Sequence, residues 1–201
     1  MKGVILMNLD IILENKSKIK NSKPDEIIEL TPTKEEEKTL QFGTEPDGRV
    51  QACMTISGYY WRCRAEVLIV KDNKILLWKL PEGKIKNGLN YITPGGSMEP
   101  GYDYVGTAKK ECNEEAKVNI KNCMYSGISY VFKYTNTASR IFNFAGAVTF
   151  ICTALYDGKF KGHVDKFDET DFPKNAKWYD ISEFELHPLH LAALRKSGLV
   201  K

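Results

Sequence analysis

Alternation of apolar and polar positions is clearest in the middle of the chain. The segment WRCRAEVLIV at 61–70 is followed by Asp72-Asn73 and then by KILLWK at 74–79. This pattern predicts a β-hairpin, because Asp and Asn tolerate the positive φ of tight hairpin turns. Residues 65–70 are apolar apart from Glu66, which favours a central strand that is covered on both faces.

The rest of the chain predicts further strands and two helices. A long loop over 81–90 leads to residues 91–93 and a Pro-Gly-Gly turn, and one helix is predicted over 104–117. Later strands are predicted near 124–134, 140–156 and 178–179, with a loop over 157–177. A last helix is predicted from Pro188, a residue suited to the first helical position, to Gly198. Strands combined with two separate helices predict a mixed α/β layer sandwich.

The first sixty residues have a different pattern. Short strands are predicted over 4–12 and 25–30, a linker or exposed loop over 14–24, and a short capped helix over 33–40. This part holds 8 basic and 10 acidic residues, against 21 basic and 16 acidic residues in the remainder, so the two parts carry net charges of −2 and +5.

The length of 201 residues indicates one domain plus an extension. We expect an N-terminal extension of unassigned role over 1–58 and a single domain over 59–201. An extension of this size could cover a sheet edge, exchange between the protomers of a homodimer or close over a substrate, and the sequence leaves all three open.

Composition and charge exclude several classes of protein. With 42% hydrophobic and 27% charged residues the chain has the composition of a globular protein, and a net charge of +3 is too small to indicate a nucleic-acid or membrane partner. Five cysteines without CxxC or zinc spacing favour a reducing compartment. The N-terminus has no signal-peptide pattern, and the longest weakly polar stretch elsewhere, 144–156, is too short to span a bilayer, so we expect a cytoplasmic protein.

The candidate chemistry lies in the helix predicted over 104–117. Glu111, Glu114 and Glu115 stand at i, i+3 and i+4, where adjacent like charges destabilise an isolated helix. A hard divalent cation such as Mg²⁺ would compensate these negative charges, since it takes oxygen ligands and is commonly bound by carboxylates and substrate phosphates together. A solvated acidic face neutralised by nearby lysines is the alternative. The glycine-rich loop upstream favours the cation, because it can turn backbone carbonyls towards the helix.

This segment, GGSMEPGYDYVGTAKKECNEEAKV at 95–118, resembles the Nudix box. Gly96 matches the first glycine, Glu111 the glutamate of the Arg-Glu pair, and Glu114 and Glu115 the Glu-Glu pair. Cys112 and Val118 match the apolar positions. The resemblance extends in outline from about residue 61 to residue 199, and it implies a Nudix-like α/β/α sandwich with a mixed central sheet.

Three positions depart from the box. Tyr102 stands in place of the early glutamate, Lys110 in place of the arginine and Lys117 in place of the late glycine. We expect Lys110 to replace the family's Arg-Glu support through the Tyr102 hydroxyl, or through Asp103. Lys117 would be strained in a left-handed conformation unless the helix ends later, for instance at Asn119.

The resemblance implies an enzyme that hydrolyses the diphosphate linkage of a nucleoside diphosphate derivative, with Mg²⁺, or Mn²⁺, as cofactor. It makes Glu111 and Glu115 the principal metal ligands, with the carbonyl of Gly95, and makes Glu114 either a ligand or the general base. A carboxylate of the later loop is another candidate for the base, although a solvated acidic loop is the favoured interpretation for any one of them. These carboxylates are Asp165, Asp168, Glu169 and Asp171.

Other residues carry weaker indications. Arg64, on the first core strand, is a candidate for binding substrate phosphate or a structural arginine, and Arg62 lies on the same face. Four aromatic residues could stack a base or lie in the core: Tyr91, Tyr130, Phe132 and Phe144. The three histidines are expected at the surface or at a helix start: His163, His187 and His190.

The substrate stays open among nucleoside triphosphates, nucleotide sugars and dinucleotides. The absence of proline between Pro100 and Pro173 argues against an ADP-ribose hydrolase, and Tyr134 lies near a marker of dinucleoside polyphosphate hydrolases. The charge balance argues against a nucleic-acid partner. A hydrolase of RNA ends is a third possible function, and it would require a basic surface patch. The alternative class is a nucleotide-binding regulatory module without catalysis on the same fold. The three retained glutamates favour the enzyme, because a non-catalytic protein has no need of all three.

Overall fold

A ten-stranded mixed sheet forms the centre of the computed structural model, which describes residues 2–24, 26–86, 88–133, 139, 141–158 and 175–201. The strands are β1 (Ile28–Glu29), β2 (Gln41–Thr44), β3 (Val50–Ile56), β4 (Tyr59–Lys71), β5 (Lys74–Lys79), β6 (Tyr91–Ile92), β7 (Gly95–Ser97), β8 (Ile120–Lys133), β9 (Phe144–Tyr156) and β10 (Lys177–Asp180). The α-helices are α1 (Lys2–Asn21), α2 (Lys34–Glu37), α3 (Tyr104–Glu111) and α4 (Pro188–Lys196).

The predicted hairpin is the core of this sheet. Asp72 and Asn73 form the turn between β4 and β5 with φ of 49° and 61°, which confirms the turn that the sequence predicts. The strand order along the main path is β1-β8-β9-β4-β3-β2, and β4 pairs in parallel with β9 while its other neighbours are antiparallel. β7 also pairs with β4, so the glycine turn is fixed directly to the central strand.

Helices cover both faces of β4. Ala65, Val67 and Ile69 lie in one apolar cluster with Ala108 of α3. Leu68 and Val70 lie in another cluster on the opposite face, together with apolar residues of α4. Both faces of the strand are therefore buried, as its continuous apolar run predicts, and the α/β/α sandwich is confirmed.

The N-terminal segment differs from its prediction. A strand over 4–12 and a linker over 14–24 are predicted, but α1 is one helix of 20 residues that covers the first stretch and the second as far as Asn21. Lys and Glu have good helix propensity, and Glu14 pairs with Lys18 one turn later at 2.7 Å. Ile19 is 1% exposed and packs into the cluster that contains Trp61. The polar residues of 14–21 form the exposed side of a helix whose other side buries Asn15 and Ile19, so this stretch is not a linker.

Residues 28–56 contribute strands to the central sheet. β1, within the stretch predicted as a strand over 25–30, pairs with the outer edge of β8, and β3 pairs with β4 and carries β2 on its other side. The capped helix over 33–40 is confirmed as α2, where Thr33 and Glu36 form a capping box. Glu36 Oε1 also accepts from the backbone N–H of Ser57 at 2.7 Å. Part of the predicted extension therefore covers a sheet edge, while a domain boundary at residue 58 stays a prediction.

The C-terminal elements follow their predictions closely. α4 begins at Pro188 after a cap by His187, and Gly198 follows it with φ of 70°. β10 includes the predicted pair Trp178 and Tyr179, and β8 and β9 contain most of the strands predicted near 124–134 and 140–156. Residues 134 and 140 lie outside the described part. No helix within the described ranges is long and apolar enough to cross a membrane.

Candidate active site

The predicted helix over 104–117 is divided into two conformations. α3 ends at Glu111, a π-helical turn covers Cys112–Ala116, and Lys117 has φ of 56°. The single α-helix expected through residue 117 is therefore wrong in its last turn. Because a π-helical turn holds more residues than an α-helical one, Glu115 does not lie directly above Glu111 as the i, i+4 spacing predicts.

Lys117 takes the left-handed conformation that is usual for glycine. The helix ends here and not at Asn119, and Lys117 is 6% exposed. A left-handed residue with a Cβ costs roughly 1–2 kcal/mol relative to its right-handed form. The chain therefore keeps the backbone of the box at this position although the glycine is lost.

Gly96 makes room for the carboxylate of Glu111. A Cβ on Gly96 would overlap Oε1 and Cδ of that side chain, so no other residue fits while Glu111 stays in place. Glu111 is 9% exposed, and burial together with the charge of Glu115 raises its pKa to about 7. The structure thus holds Glu111 where burial and Glu115 disfavour the ionised carboxylate more than Lys110 and Arg64 favour it.

Glu115 and Glu114 point in different directions. Glu115 Oε2 accepts from the backbone N–H of Gly95 at 2.8 Å, which joins the π-helical turn to β7. Glu114 Oε2 accepts from Lys110 Nζ at 2.8 Å. Glu111 and Glu115 therefore face the glycine turn, whereas Glu114 lies on the exposed side of the helix.

Lys110 finds a different partner from those expected. Its Nζ bridges Glu114 and Glu99, with 3.2 Å to Glu99 Oε1. Tyr102 is 45% exposed and Asp103 caps α3 by accepting from the Gly106 N–H, so the pairing of Lys110 with either residue is wrong. Burial lowers the pKa of Lys110, but the two carboxylates outweigh burial and raise it overall. The ion pair that supports the helix is thus Lys110 with Glu99.

Arg64 lies where a phosphate-binding residue is expected. Its Nη2 donates to the Gly95 carbonyl at 3.2 Å, and Arg64 pairs with Ser97 across β4 and β7. The carbonyl predicted as a metal ligand therefore accepts from a guanidinium in this structure. Gly95 connects the two features, because its N–H holds Glu115 and its carbonyl holds Arg64.

A small polar cavity opens beside these residues. It has a volume of about 50 Å³, and Arg64, Lys86, Glu66 and Glu115 contribute to its lining. This volume holds a few water molecules and is too small for a nucleoside. A base must therefore bind outside this cavity.

The donor set is suited to a hard divalent cation. Within the described ranges no three His, Cys, Asp or Glu side chains form a preassembled metal site. Two carboxylates and the backbone oxygens of the glycine turn are nonetheless the oxygen donors that such ions prefer. Burial is the main cause of the raised pKa of Glu111, and the neighbouring charge of Glu115, which a cation would offset, adds to it. Glu111, Glu115 and the Gly95 carbonyl would hold it, with Glu114 reaching it after release from Lys110. The four loop carboxylates at 165–171 lie outside the described residues, as does His163.

A buried network of polar side chains behind the cavity was missed. His190, expected at the surface or a helix start, is fully buried, and its Nε2 lies 2.8 Å from Glu66 Oε1. The Tyr91 hydroxyl accepts from the His187 N–H at 2.9 Å and lies 2.6 Å from His190 Nδ1. Thr93 and Tyr130 donate to Glu66 Oε2 at 2.8 Å and 3.3 Å. The only sequence signal was Glu66 itself, a lone charge within an apolar run.

The surroundings of this network also decide whether the four aromatic residues named above lie in the core. Tyr91 and Tyr130 are 1% and 2% exposed, and both hydroxyls serve the network. Their rings are buried in the α4-side cluster, as is that of Phe132, and Phe144 is also buried. The core reading of these four aromatic residues therefore holds. The network connects β4, the loop before the glycine turn and α4.

We expect Glu66→Gln to lower the free energy of unfolding by roughly 3 kcal/mol near neutral pH, since it leaves buried donors without their charged acceptor. Burial raises the pKa of Glu66, but His190 and the hydrogen bond from Thr93 outweigh it, so the pKa lies below its usual value. The stabilisation is therefore complete above the usual glutamate pKa and is lost as the pH falls through the lowered one. Urea unfolding from pH 7 to pH 3 measures this.

The exposed glutamate Glu185 provides the control for that experiment. Glu185→Gln makes the same change of charge near α4 and should leave the free energy of unfolding within about 0.5 kcal/mol of the wild type. Equal stabilities of Glu66→Gln and the wild type at pH 7 would contradict a stabilising role for the network.

Comparison with known proteins agrees with the fold and the box. A family model described as NUDIX domain matches residues 61–197. The chain therefore belongs to the Nudix hydrolase family. It is a Nudix-type pyrophosphohydrolase, and the family acts on the pyrophosphate linkages of nucleotide-type substrates.

Solved structures with the same fold show low sequence identity. A NUDIX hydrolase from Nitrosomonas europaea is 18% identical, with a TM-score of 0.42, over 68% of this chain and 87% of that one. The Bacillus subtilis pyrophosphohydrolase BsRppH is 16% identical, with a TM-score of 0.47, over 80% and 99%. The MutT protein from Bacillus halodurans is 23% identical, with a TM-score of 0.40, over 60% and 69%. A search of curated proteins found no match.

Proposed function

We propose that this chain is a Mg²⁺-dependent hydrolase that cleaves the diphosphate linkage of a nucleoside diphosphate derivative, with Mn²⁺ as a second competent ion. The observation that carries the proposal is the position of Gly95. Its N–H binds the carboxylate of Glu115 and its carbonyl binds the guanidinium of Arg64. One residue thus brings a candidate metal ligand and a candidate phosphate ligand to the same turn.

Each residue has a role that follows from its contacts. When bound, the divalent ion would neutralise charge on the phosphates and activate a water molecule for attack. Glu111 and Glu115 hold the ion, and Gly96 keeps the space in which Glu111 lies. Arg64 donates to a phosphate oxygen through the guanidinium N–H groups that do not bind Gly95, a geometry for which arginine is suited.

Glu114, which accepts from Lys110 in this structure, has two candidate roles. As a ligand it exchanges the ammonium of Lys110 for the ion, and as general base it removes a proton from the attacking water. Before substrate binds, Lys110 Nζ occupies Glu114 Oε2 at 2.8 Å, so either role requires this contact to break. A carboxylate of the loop at 165–171 is the other candidate for the base.

A substrate panel tests the proposal. The purified full-length chain is incubated with nucleotide sugars, dinucleotides and nucleoside triphosphates, and release of nucleoside monophosphate and phosphate is measured. We expect turnover with Mg²⁺ of at least one class, its loss in EDTA and its return when Mg²⁺ is added back. Turnover that survives EDTA would contradict the role of the ion. Nucleotide binding without turnover of any class would favour the regulatory module.

A further inference from the structure

One face of β4 presents a row of residues that leads away from the cavity. Because side chains alternate along a strand, Tyr60, Arg62 and Arg64 point to the same side. The β3–β4 register has no shift here, since Tyr60 pairs with Thr55 and Arg62 with Cys53. The register shift between Tyr60 and Trp61 places its extra residue on β9 and leaves the alternation of β4 intact. Trp61 and Cys63 point to the opposite side and are fully buried in the cluster with Ile19 of α1.

An exposed aromatic group lies at the outer end of this row. Tyr60 is 45% exposed, and its ring centre lies 6.4 Å from that of Phe142. Gly43 on β2 leaves space for this arrangement, because a Cβ there would approach Cδ1 of Ile141 to 2.7 Å and the Phe142 ring to 3.1 Å. The exposed ring of Tyr60, with the partly buried ring of Phe142 beside it, is suited to stacking against another flat ring.

The middle of the row carries two cations that bind neutral acceptors. Arg62 Nη2 donates to Ser97 Oγ, and Arg64 Nη2 donates to the Gly95 carbonyl. Among the described residues no salt bridge joins either guanidinium to a carboxylate, although Arg64 acts electrostatically on Glu66 and Glu111. Arg62 Nε is buried and finds no acceptor among the same residues. Two guanidinium groups on one face of the strand, one of them with an unused buried donor, are suited to an anionic ligand.

The spacing of the row corresponds to the order of groups in a nucleotide. At about 3.3 Å per residue, Tyr60 and Arg64 are roughly 13 Å apart along β4. From Tyr60 towards Arg64, the row begins with an aromatic group and continues with two arginines. It ends at the glycine turn that binds Glu115. The cavity itself has room for only a few water molecules, so a base attached to phosphates at Arg64 lies outside it, and the row along β4 offers it a place.

We infer that Tyr60 and Phe142 form the subsite for the aromatic base of a nucleoside diphosphate, whose phosphates lie along Arg62 and Arg64. This inference rests on the proposed function, because that function supplies the nucleotide. Tyr60 contributes to specificity by contact with the base and takes no part in the chemistry. Diphosphates without an aromatic group bind only the arginine part of the row.

Equilibrium binding separates this subsite from the reaction. ADP and inorganic pyrophosphate are titrated by calorimetry in EDTA into the wild type, Tyr60→Ala, Tyr60→Phe and Tyr59→Ala. Loss of one stacking partner weakens binding of a base by roughly 5- to 100-fold. We expect that loss for ADP with Tyr60→Ala, near wild-type affinity with Tyr60→Phe, and unchanged affinity for pyrophosphate in all three variants.

Tyr59→Ala is the matched control. Tyr59 is 40% exposed and adjacent in sequence, but its ring contacts Trp61 on the opposite face of the strand. The Tyr59→Ala variant should therefore bind ADP with the affinity of the wild type. In saturation-transfer NMR the adenine protons of ADP should receive magnetisation from the wild type and lose it with Tyr60→Ala.

Two results would overturn the subsite: ADP that fails to bind the wild type, or ADP affinity that is equal in the wild type and Tyr60→Ala. Failure of the proposed function has a different signature. If no panel substrate is hydrolysed but Tyr60→Ala still loses ADP affinity as expected, the proposed reaction is wrong and the base subsite is supported.

Discussion

Glu115→Gln is expected to lower Mg²⁺-dependent turnover by at least roughly 100-fold while the chain stays folded. A glutamine has nearly the same shape and its amide oxygen can still accept from the Gly95 N–H, so the junction between the π-helical turn and β7 is kept. What disappears is a negative charge at the candidate metal site, and a bound metal ion supplies several kcal/mol of transition-state stabilisation. Turnover on the best panel substrate and the midpoint of thermal unfolding are measured together.

Glu183→Gln is the control for that loss of charge. Glu183 is exposed in the segment before α4, and its replacement should change neither turnover nor unfolding. Wild-type turnover in Glu115→Gln would remove Glu115 from the metal ligands. A large fall in its unfolding midpoint would instead assign Glu115 to the structural junction.

Gly96→Ala is expected to abolish turnover almost as fully, although it removes no functional group. The new Cβ would overlap the carboxylate of Glu111, which must then leave the glycine turn. Gly96 pairs with Ala65 in the sheet and has no positive φ, so alanine is compatible with its backbone. We therefore expect a loss of at least roughly 100-fold in turnover with a fall in stability of about 1–3 kcal/mol from crowding. Isothermal titration with Mn²⁺ should show weaker metal binding in this variant.

Gly106→Ala adds the same methyl group without touching Glu111. Its nearest neighbours are the ring of Tyr102, which is exposed and can shift, and the cap residue Asp103. Alanine also favours the helix, so this variant should keep turnover and metal affinity. If Gly96→Ala binds Mn²⁺ and turns over like Gly106→Ala, the position of Glu111 in this structure does not matter for the reaction.

The parts of the fold that the sequence predicted correctly depend on contacts between near neighbours. Asp72 and Asn73 form the hairpin turn because their side chains tolerate positive φ. Thr33 and Glu36 satisfy each other's backbone donors three residues apart, and Pro188 begins α4 after its cap. Each of these signals is complete within a few residues.

The failures depend on residues that are distant in the chain. α1 was divided into a strand and a linker, because its docking depends on Ile19 reaching the cluster around Trp61. His190 was assigned to the surface or a helix start, because its partner Glu66 lies 124 residues earlier. The expectation for Lys110 failed in the same way: the loop between β7 and α3 brings Glu99 within 3.2 Å, whereas Tyr102 turns to solvent.

The candidate site shows the same division. The sequence by itself determined which groups are present, since Glu111, Glu114 and Glu115 beside a glycine turn form the pattern that predicts an oxygen-ligand site. Only the tertiary structure decided the geometry. The π-helical turn separates Glu115 from Glu114, and β7 brings Gly95 between Glu115 and Arg64. Side-chain directions depend on backbone conformation and on pairing between distant strands, and neither is encoded by the residues of the box alone.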